Sequence, residues 1–594
     1  MGVNIYLPSN VMGGRCMSTI YNRFSFRSSF KILPNGWDLV AFIIVLGMLA
    51  AFVWAGKQIT APYQVGQTLT LSLDPHQLPK YALFTVLRLF TAMTFSLLFT
   101  FTVGTLAAKN KRAARIIVPC IDILQSVPVI GLLSIAIVGF IALFHGSRLG
   151  PETAAIFAVF TAQVWNITLS FYQSLRSVPT ELKEAADMFH LSAWQRFWRL
   201  DVPFSMPGLL WNMMMSMSAS WVFLIASESI SVNNQTIVLP GIGSYLGLAI
   251  NKASISGVVY TILTMLIVIL LYDQLLFRPL LNWSKKFTFE HVSQEYVSRS
   301  WLTIVLQQTY ILKYLGRFFG KLGDSIVNIS FSKKVKKEIP TKKSSSTKLI
   351  DFIWYSTTIL VVVASLWLLL HFILKHISSQ ELIHVFFLGC ITALRIIAII
   401  LIASIIWIPI GVFIGLNRRI AEWIQPIAQF FAAFPANVLF PIAVILILRY
   451  HLNFEIWSTP LLLLGTQWYI LFNVIAGTAA LPEDLKEVTN NFGVKGWQWW
   501  RRLILPGIFP HWITGTITAI GGGWNLTILT EIINWGSITL VSTGLGAYIT
   551  KSANAGDFPR IALGMAMMSL FVLVMNHLIW RPLYNLSQSR YRLD

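Results

Sequence analysis

The sequence predicts an all-α polytopic membrane protein made of two parallel six-helix repeats, about 12 transmembrane helices in all, with both termini in the cytoplasm. Three observations carry this. Of 594 residues, 55% are hydrophobic and only 12% charged, with a mean hydropathy of +0.67; a soluble chain carries roughly 25% charged residues. Apolar stretches of roughly 20 residues, long enough to cross a hydrocarbon core, recur along the chain. The third observation is a long internal repeat.

Glu181-Leu182-Lys183-Glu184-Ala185 returns as Asp484-Leu485-Lys486-Glu487-Val488, an offset of 303 positions. The same offset carries Trp194 onto Trp497, Pro203 onto Pro506, Trp221 onto Trp524 and Glu228 onto Glu531. It takes Gly241, Gly243 and Tyr245 onto Gly544, Gly546 and Tyr548, and Arg278-Pro279-Leu280 onto Arg581-Pro582-Leu583. Upstream the offset is 307, matching Thr85, Arg88, Gly104 and Pro128 with Thr392, Arg395, Gly411 and Pro435. Likeness over this length means two copies of one folding unit.

The organisation follows from charge and apolar length. Residues 1–37 form a tail whose Arg15, Arg23, Arg27 and Lys31 keep it in the cytoplasm. The first repeat occupies 38–285 (core 80–282), with spans at 39–54, 82–108, 118–144, 154–173, 208–230 and 258–281. The second occupies 348–594 (core 385–585), with spans at 350–374, 385–416, 424–448, 457–480, 512–533 and 561–583. Lys109, Lys111, Arg112, Arg115, Arg418 and Arg419 then all fall in inward loops. That asymmetry accounts for the net charge of +21 without nucleic acid as a partner. An even number of spans per repeat makes the halves parallel about an axis along the membrane normal. Between them, 286–347 is a cytoplasmic linker. Lys313, Arg317 and Lys321 make a basic stripe opposite Leu312, Leu315 and Phe319, the pattern of a helix lying on membrane lipids. The lysine-rich 333–348 that follows is solvated and flexible. Three distant cysteines imply no disulfide framework, and Cys120 and Cys390 are expected to be buried and inert.

The loop between the fourth and fifth spans is the sharpest motif. Leu182, Ala185, Ala186 and Phe189 make an apolar stripe at helical spacing, repeated by Leu485, Val488 and Phe492. After a break at His190 or Gly493, a second short helix presents Trp194, Phe197 and Trp198, or Trp497 and Trp500. Pro203 and Pro506 mark where the chain returns to the membrane. An exposed helix with small and apolar residues on one face needs a partner to cover it. For Trp499 and Trp500, beside Arg501 and Arg502, seating in the lipid headgroups is an equal reading.

These loops resemble the signature of binding-protein-dependent ABC importer permeases: Glu-Ala-Ala, three residues, Gly, nine residues, Ile-x-Leu-Pro. The first falls on Glu184, Ala185, Ala186, His190, Leu200, Val202 and Pro203. The second falls on Glu487, Val488, Thr489, Gly493, Leu503, Leu505 and Pro506. His190 stands where the family has glycine, so the first loop is expected to bend differently or more stiffly. The likeness is closest to the nitrate, sulfonate, taurine and bicarbonate class. There a Trp leads to an Ala-Glu pair and a Gly-x-Gly-x-Tyr turn; here Trp221, Glu228 and Gly241 to Tyr245 correspond, with Trp524, Glu531 and Gly544 to Tyr548. The resemblance implies a type I importer permease fold in the bacterial inner membrane, two permease domains fused in one chain. It implies that Glu181, Glu184, Ala185, Ala186, Phe189, His190 and Pro203 form one ATPase-coupling loop. Asp484, Glu487, Val488, Thr489, Phe492, Gly493 and Pro506 form the other. Partners would be two copies of an ABC ATPase, which bind the ATP and Mg, and a periplasmic or lipid-anchored solute-binding protein. One permease chain would serve each transporter. A small oxyanion such as nitrate, a sulfonate or bicarbonate is the implied solute.

Charges inside apolar spans need partners. Arg88 and Arg395 enter from outside, and Glu228 and Glu531 lie near the outer ends of their spans, so Arg88 is expected to pair with Glu228 and Arg395 with Glu531. The competing reading has these groups touch solute. Gln163, Trp165, Asn166, Gln467 and Trp468 in the fourth spans are candidates for the translocation path, with packing as the plainer role for the tryptophans. Asn525, beside Gly521-Gly522-Gly523, also reads as packing.

No phosphate-binding G-x-x-x-x-G-K-[ST] motif, metal-ligand spacing or G-x-S-x-G elbow occurs, so catalytic and metal sites and bound cofactors are not expected on this chain. Two rival readings stand beside this one. A twelve-span secondary transporter shares the parallel halves but gives no reason for paired loops after the fourth spans. A non-transporting scaffold gives none either.

Overall fold

Proline placement and apolar length shape the bundle seen in the computed structural model, which describes residues 71–144, 147–232, 235–287, 320–321, 323–325, 327–328 and 345–590. The expected tail, the span at 39–54 and nearly all of the linker, with its basic stripe, lie outside the described residues.

The first repeat runs α1 (Pro75–Lys109), α2 (Lys111–Ser126), α3 (Val129–Leu143), α4 (Leu149–Ser177), α5 (Thr180–Met188), α6 (Ala193–Glu228), β1 (Ser229–Val232), β2 (Gln235–Val238), α7 (Ile242–Asn251) and α8 (Ile255–Ser284). The second runs α9 (Ser345–His376), α10 (Ser379–Leu416), α11 (Arg418–Ala433), α12 (Phe440–Arg449), α13 (Phe454–Ala479), α14 (Glu483–Asn491), α15 (Trp497–Thr530), β3 (Ile532–Trp535), β4 (Ile538–Val541), α16 (Leu545–Ala555) and α17 (Phe558–Ser587). Among the described residues, 9 helices are long and apolar enough to cross a membrane, and 2 bent pairs raise the number to 11.

The bent pairs correct the expectation of continuous spans at 118–144 and 424–448. α2 and α3 meet at 94°, and α11 and the segment Ala436–Arg449 meet at 71°. The cause is Pro128 and Pro435. A proline excludes helical backbone from the residue before it, and Val127 and Phe434 take ψ of 131° and 128°. Each break is then tied to the opposite repeat. The free amide of Val129 donates to Asn525 Oδ1 at 2.9 Å, and Asn437 Nδ2 donates to the Val222 carbonyl at 3.1 Å. The 303 offset carries Val222 onto Asn525, so the two bonds are near-symmetric partners that lock the halves together. Asn525 therefore acts as a cap across the halves, beyond mere packing.

Among the described residues, two short antiparallel hairpins interrupt an otherwise helical fold. β1 pairs with β2 from Ser229↔Val238 to Val232↔Gln235, and β3 with β4 from Ile532↔Val541 to Trp535↔Ile538. Gly536, at φ 58°, opens the two-residue loop of the second with the positive φ such turns need. Each repeat buries its own core. Leu89, Ile167, Met217 and Trp221 pack in the first, with Phe434 and Val438 contributed by the second. Ile396, Ile470, Val474 and Trp524 pack in the other. α9 stands at the rim, its apolar side chains from Ile359 to Leu370 mostly exposed. Cys120 and Cys390 are exposed on the outside of the bundle, not buried as expected, because their apolar helices face outward.

Candidate functional site

Three features can be built from the residues: a buried charge cluster in each repeat at the hairpin end, a cavity between the repeats, and two short helices at the opposite end.

At the hairpin end of the first repeat, α1 carries Arg88 between two carboxylates. Its Nε and Nη2 donate to Glu152 on α4 at 2.5 and 2.7 Å, and Nη1 donates to Glu228 on α6 at 2.7 Å. All three side chains are at most 2% exposed. The expected Arg88–Glu228 pair is present, with Glu152 as a third member that the sequence reading passed over. Two carboxylates on one guanidinium leave negative charge that needs further donors in so dry a place. Glu228 Oε2 accepts from the Gly243 amide at 2.7 Å, at the start of α7, where the helix dipole favours an anion. Gly241 is required for this approach, since a Cβ there would stand 2.2 Å from the Glu228 carboxylate.

The second repeat builds the same cluster more openly. Arg395 Nη2 donates to Glu455 at 2.6 Å and Nη1 to Glu531 at 3.3 Å. Glu531 also accepts from Thr392 at 2.9 Å and from the Ala547 amide at 3.0 Å. Gly544 stands to Glu531 as Gly241 stands to Glu228, again with 2.2 Å to a Cβ. The 303 offset carries Glu152 onto Glu455, and that match was the sign by which both acids were findable.

The cavity, about 100 Å³, lies between the repeats. α6 and α8 line it from one side, and α11, α13, α15 and the break at Phe434 line it from the other. Of the named path residues, Trp468 is on its wall, stacked on Phe431 with ring centroids 6.2 Å apart. Gln163, Trp165, Asn166 and Gln467 are not among its lining residues. Trp165 packs edge-on against Phe99, and Asn166 donates to Ser216 at 3.1 Å. Gln467 accepts from the Trp407 indole at 3.1 Å. Gln163 is fully buried, and neither of its amide atoms has a hydrogen-bond partner among the described residues.

At the opposite end, α5 holds Glu181, Glu184, Ala185 and Ala186, and α14 holds Asp484, Glu487, Val488 and Thr489. The carboxylates of Glu184 and Glu487 are exposed. Ala186 is buried against the bundle, while Phe189 and Phe492 project outward, 79% and 81% exposed. Met188, which the sequence reading did not single out, is exposed beside Phe189. His190 corrects the expectation of a different bend. It adopts φ 50°, close to φ 65° at Gly493, and both loops close with the same two bonds. His190 and Gly493 donate to Asp187 and Asn490 at 3.0 Å, and Leu191 and Val494 reach back to Ala186 and Thr489 at 3.1 Å. Histidine pays in backbone strain for a turn that glycine makes freely.

Pro203 and Pro506 do not begin the returning spans. The helices start at Ala193 and Trp497, and five-residue π turns at Phe197–Asp201 and Trp500–Ile504 absorb the prolines' missing N–H donors. Trp499 and Trp500 meet edge-on with ring centroids 5.6 Å apart and pack on the second core, whereas Trp497 is exposed. Lys109 contacts Asp201 at 3.0 Å and sits over the Phe197 ring, tying α1 to the first loop.

Comparison with known proteins gives these features a context. The family model described as binding-protein-dependent transport system inner membrane component matches residues 100–278 and 407–590, more than half of the chain. The trimethylamine N-oxide transport system permease protein TmoV of Pelagibacter ubique (strain HTCC1062) is 24% identical over 537 residues, covering 82% of this chain and 69% of TmoV. The bicarbonate transport system permease protein CmpB of Synechococcus elongatus is 28% identical over 148 residues, 25% of this chain and 50% of CmpB. The nitrate import permease protein NrtB of Leptolyngbya laminosa is 24% identical over 179 residues, 30% of this chain and 61% of NrtB. The chain therefore belongs to the binding-protein-dependent transport system inner membrane components, as a multi-pass permease component of an ABC importer with two permease domains in one polypeptide.

Proposed function

We propose that this chain alone forms the membrane path of an ATP-driven importer for a small solute and is worked through α5 and α14. The observation that carries the reading is the matched pair of short helices. Each ends on a left-handed residue, and each thrusts a phenylalanine, Phe189 or Phe492, into solvent. Exposed aromatic residues on two repeated elements are suited to sockets on two copies of one partner. ATP-driven closure of two ATPase subunits would press Glu184 and Glu487 toward each other and rock the repeats about their shared cavity. The loop end is then cytoplasmic, as are both termini, and the hairpin end faces a solute-loaded binding protein, periplasmic or lipid-anchored. One permease chain per transporter follows from the fusion, with domains at 38–285 and 348–594 joined by a cytoplasmic linker. The names of the relatives divide between oxyanions, for CmpB and NrtB, and an amine oxide, for TmoV.

The test uses the full chain in proteoliposomes together with an ATPase and a binding protein of the same transport system. Phe189→Ser combined with Phe492→Ser is expected to abolish both ATPase attachment and solute uptake while the chain still inserts. Attachment and uptake undisturbed by the double variant would end the reading, as would native mass spectra showing two permease chains per ATPase pair.

A further inference from the structure

We propose that Lys109 is a positioning residue for transport: it clamps α1 to the start of α6, so that movement of the first loop carries both helices as one lever. The proposal rests on the coupling reading above and names the element that receives the motion.

The first loop returns to the bundle through the π turn Phe197–Asp201, and the last residue of that turn is an acid, Asp201, only 5% exposed. A carboxylate so far from water needs a cation. Lys109, the last residue of α1, supplies it from a separate helix, with Nζ 3.0 Å from Oδ2 and 5.7 Å from the centroid of the Phe197 ring. No hydrogen-bond donor among the described residues is aligned on that oxygen. The attraction is therefore one of charge, which a compact ammonium exerts without fixed direction. Phe197 is itself wedged between Phe101 of α1 and Trp194 and Trp198 of α6, at centroid distances of 6.1, 6.5 and 5.1 Å. The ion pair closes an aromatic contact that already joins the same two helices.

Charge closes the other end too. Arg88 and Lys109 lie roughly 30 Å apart along α1, and each meets a carboxylate of α6. Arg88 meets Glu228, its last residue, and Lys109 meets Asp201 near its start. Two clamps at opposite ends of neighbouring helices prevent both sliding and splaying, whereas one clamp leaves a hinge. Displacement of α5 then reaches the buried cluster at the hairpin end without slippage between α1 and α6.

The internal repeat shows that this clamp occurs once. Lys109 corresponds to Leu416, the last residue of α10, and Asp201 to Ile504, the last residue of the π turn Trp500–Ile504. Ile504 is fully buried, so the second repeat builds the same corner without charge. An apolar contact resists separation but, being non-directional, resists sliding weakly. Separating opposite charges in a poorly hydrated place is opposed in every direction. The first repeat is thus the stiff half, and the second is free to adjust against it.

The experiment measures uptake and ATP hydrolysis together, in proteoliposomes holding the full chain with an ATPase and a binding protein of the same transport system. Lys109→Met is expected to keep the ATPase attached and hydrolysing while solute taken up per ATP falls about tenfold. Lys109→Arg should keep coupling. Lys109→Leu combined with Asp201→Ile leaves no buried charge and copies the second repeat, so it should insert and fold, yet remain uncoupled; it serves where Lys109→Met fails to insert. Normal uptake per ATP in the apolar pair or in Lys109→Met would make the contact one of stability alone and overturn the proposal, as would lost coupling in Lys109→Arg. The two readings fail separately: attachment that survives the loop double variant ends the first, and unchanged uptake per ATP ends this one.

Discussion

The two charge clusters at the hairpin end are made of the same residue types at matching positions, yet they sit in different solvents. Arg88, Glu152 and Glu228 are at most 2% exposed. Their counterparts reach 10% for Arg395, 44% for Glu455 and 2% for Glu531. Glu455 is held at the rim by the Thr543 amide and hydroxyl, at 2.8 and 2.7 Å from Oε1. Duplication has preserved the donors and acceptors while letting the desolvation diverge. The energy of an ion pair depends far more on its surroundings than on its partners. The first cluster is therefore a sealed brace, and the second a wetter joint whose members can separate at lower cost.

The largest expected effect follows directly. Arg88→Ala leaves two carboxylates buried without their cation, a loss of about 3–5 kcal/mol. Arg395→Ala breaks partly solvated contacts, and about 1–2 kcal/mol is expected. Thermal unfolding in nanodiscs, followed by tryptophan fluorescence, should show the first variant failing to reach a stable fold and the second only shifted. Equal shifts would erase the distinction between brace and joint.

Charge reversal sharpens the comparison. Arg395→Glu combined with Glu531→Arg should restore the uptake lost in either single variant, because Glu455 can swing toward water. Arg88→Glu combined with Glu228→Arg should not, because Glu152 is sealed beside the reversed position. Adding Glu152→Gln should recover it. Rescue of the first pair without that third change would show that Glu152 does not feel the charge at position 88.

How much of this was legible depended on whether a residue had one local reason to be where it is. Arg88 and Glu228 could be paired because an ion inside an apolar span must have a partner. Glu152 could not be placed by that rule. It follows Pro151 near the start of α4, where an acid reads as an ordinary helix-start residue; only the repeat offset shows that it is one of a pair. The breaks at Pro128 and Pro435 were hidden inside runs whose composition is that of an unbroken span. The hairpins were lost because Ile230 and Ile533 extend the apolar runs of α6 and α15 beyond the helices. The loop helices were the most legible part, since spacing within one short element carries their whole pattern.

The smallest expected effect compares the two loops. His190 and Gly493 share a left-handed backbone, and only glycine adopts it without a steric cost. His190→Gly should therefore stabilise the first loop by about 1 kcal/mol, and Gly493→Ala should destabilise the second by a similar amount. No contact explains the histidine energetically: its side chain is exposed, and none of its hydrogen bonds is made by the ring. The stiffer residue does, however, narrow the conformations open to the first loop when the turn opens. If that stiffness serves the transmission of force, His190→Gly will raise the unfolding temperature of the loop, read by hydrogen exchange at Leu191, and lower ATPase-coupled uptake. A variant that is both more stable and fully active would make the histidine a tolerated departure from glycine, and the two loops mechanically equivalent.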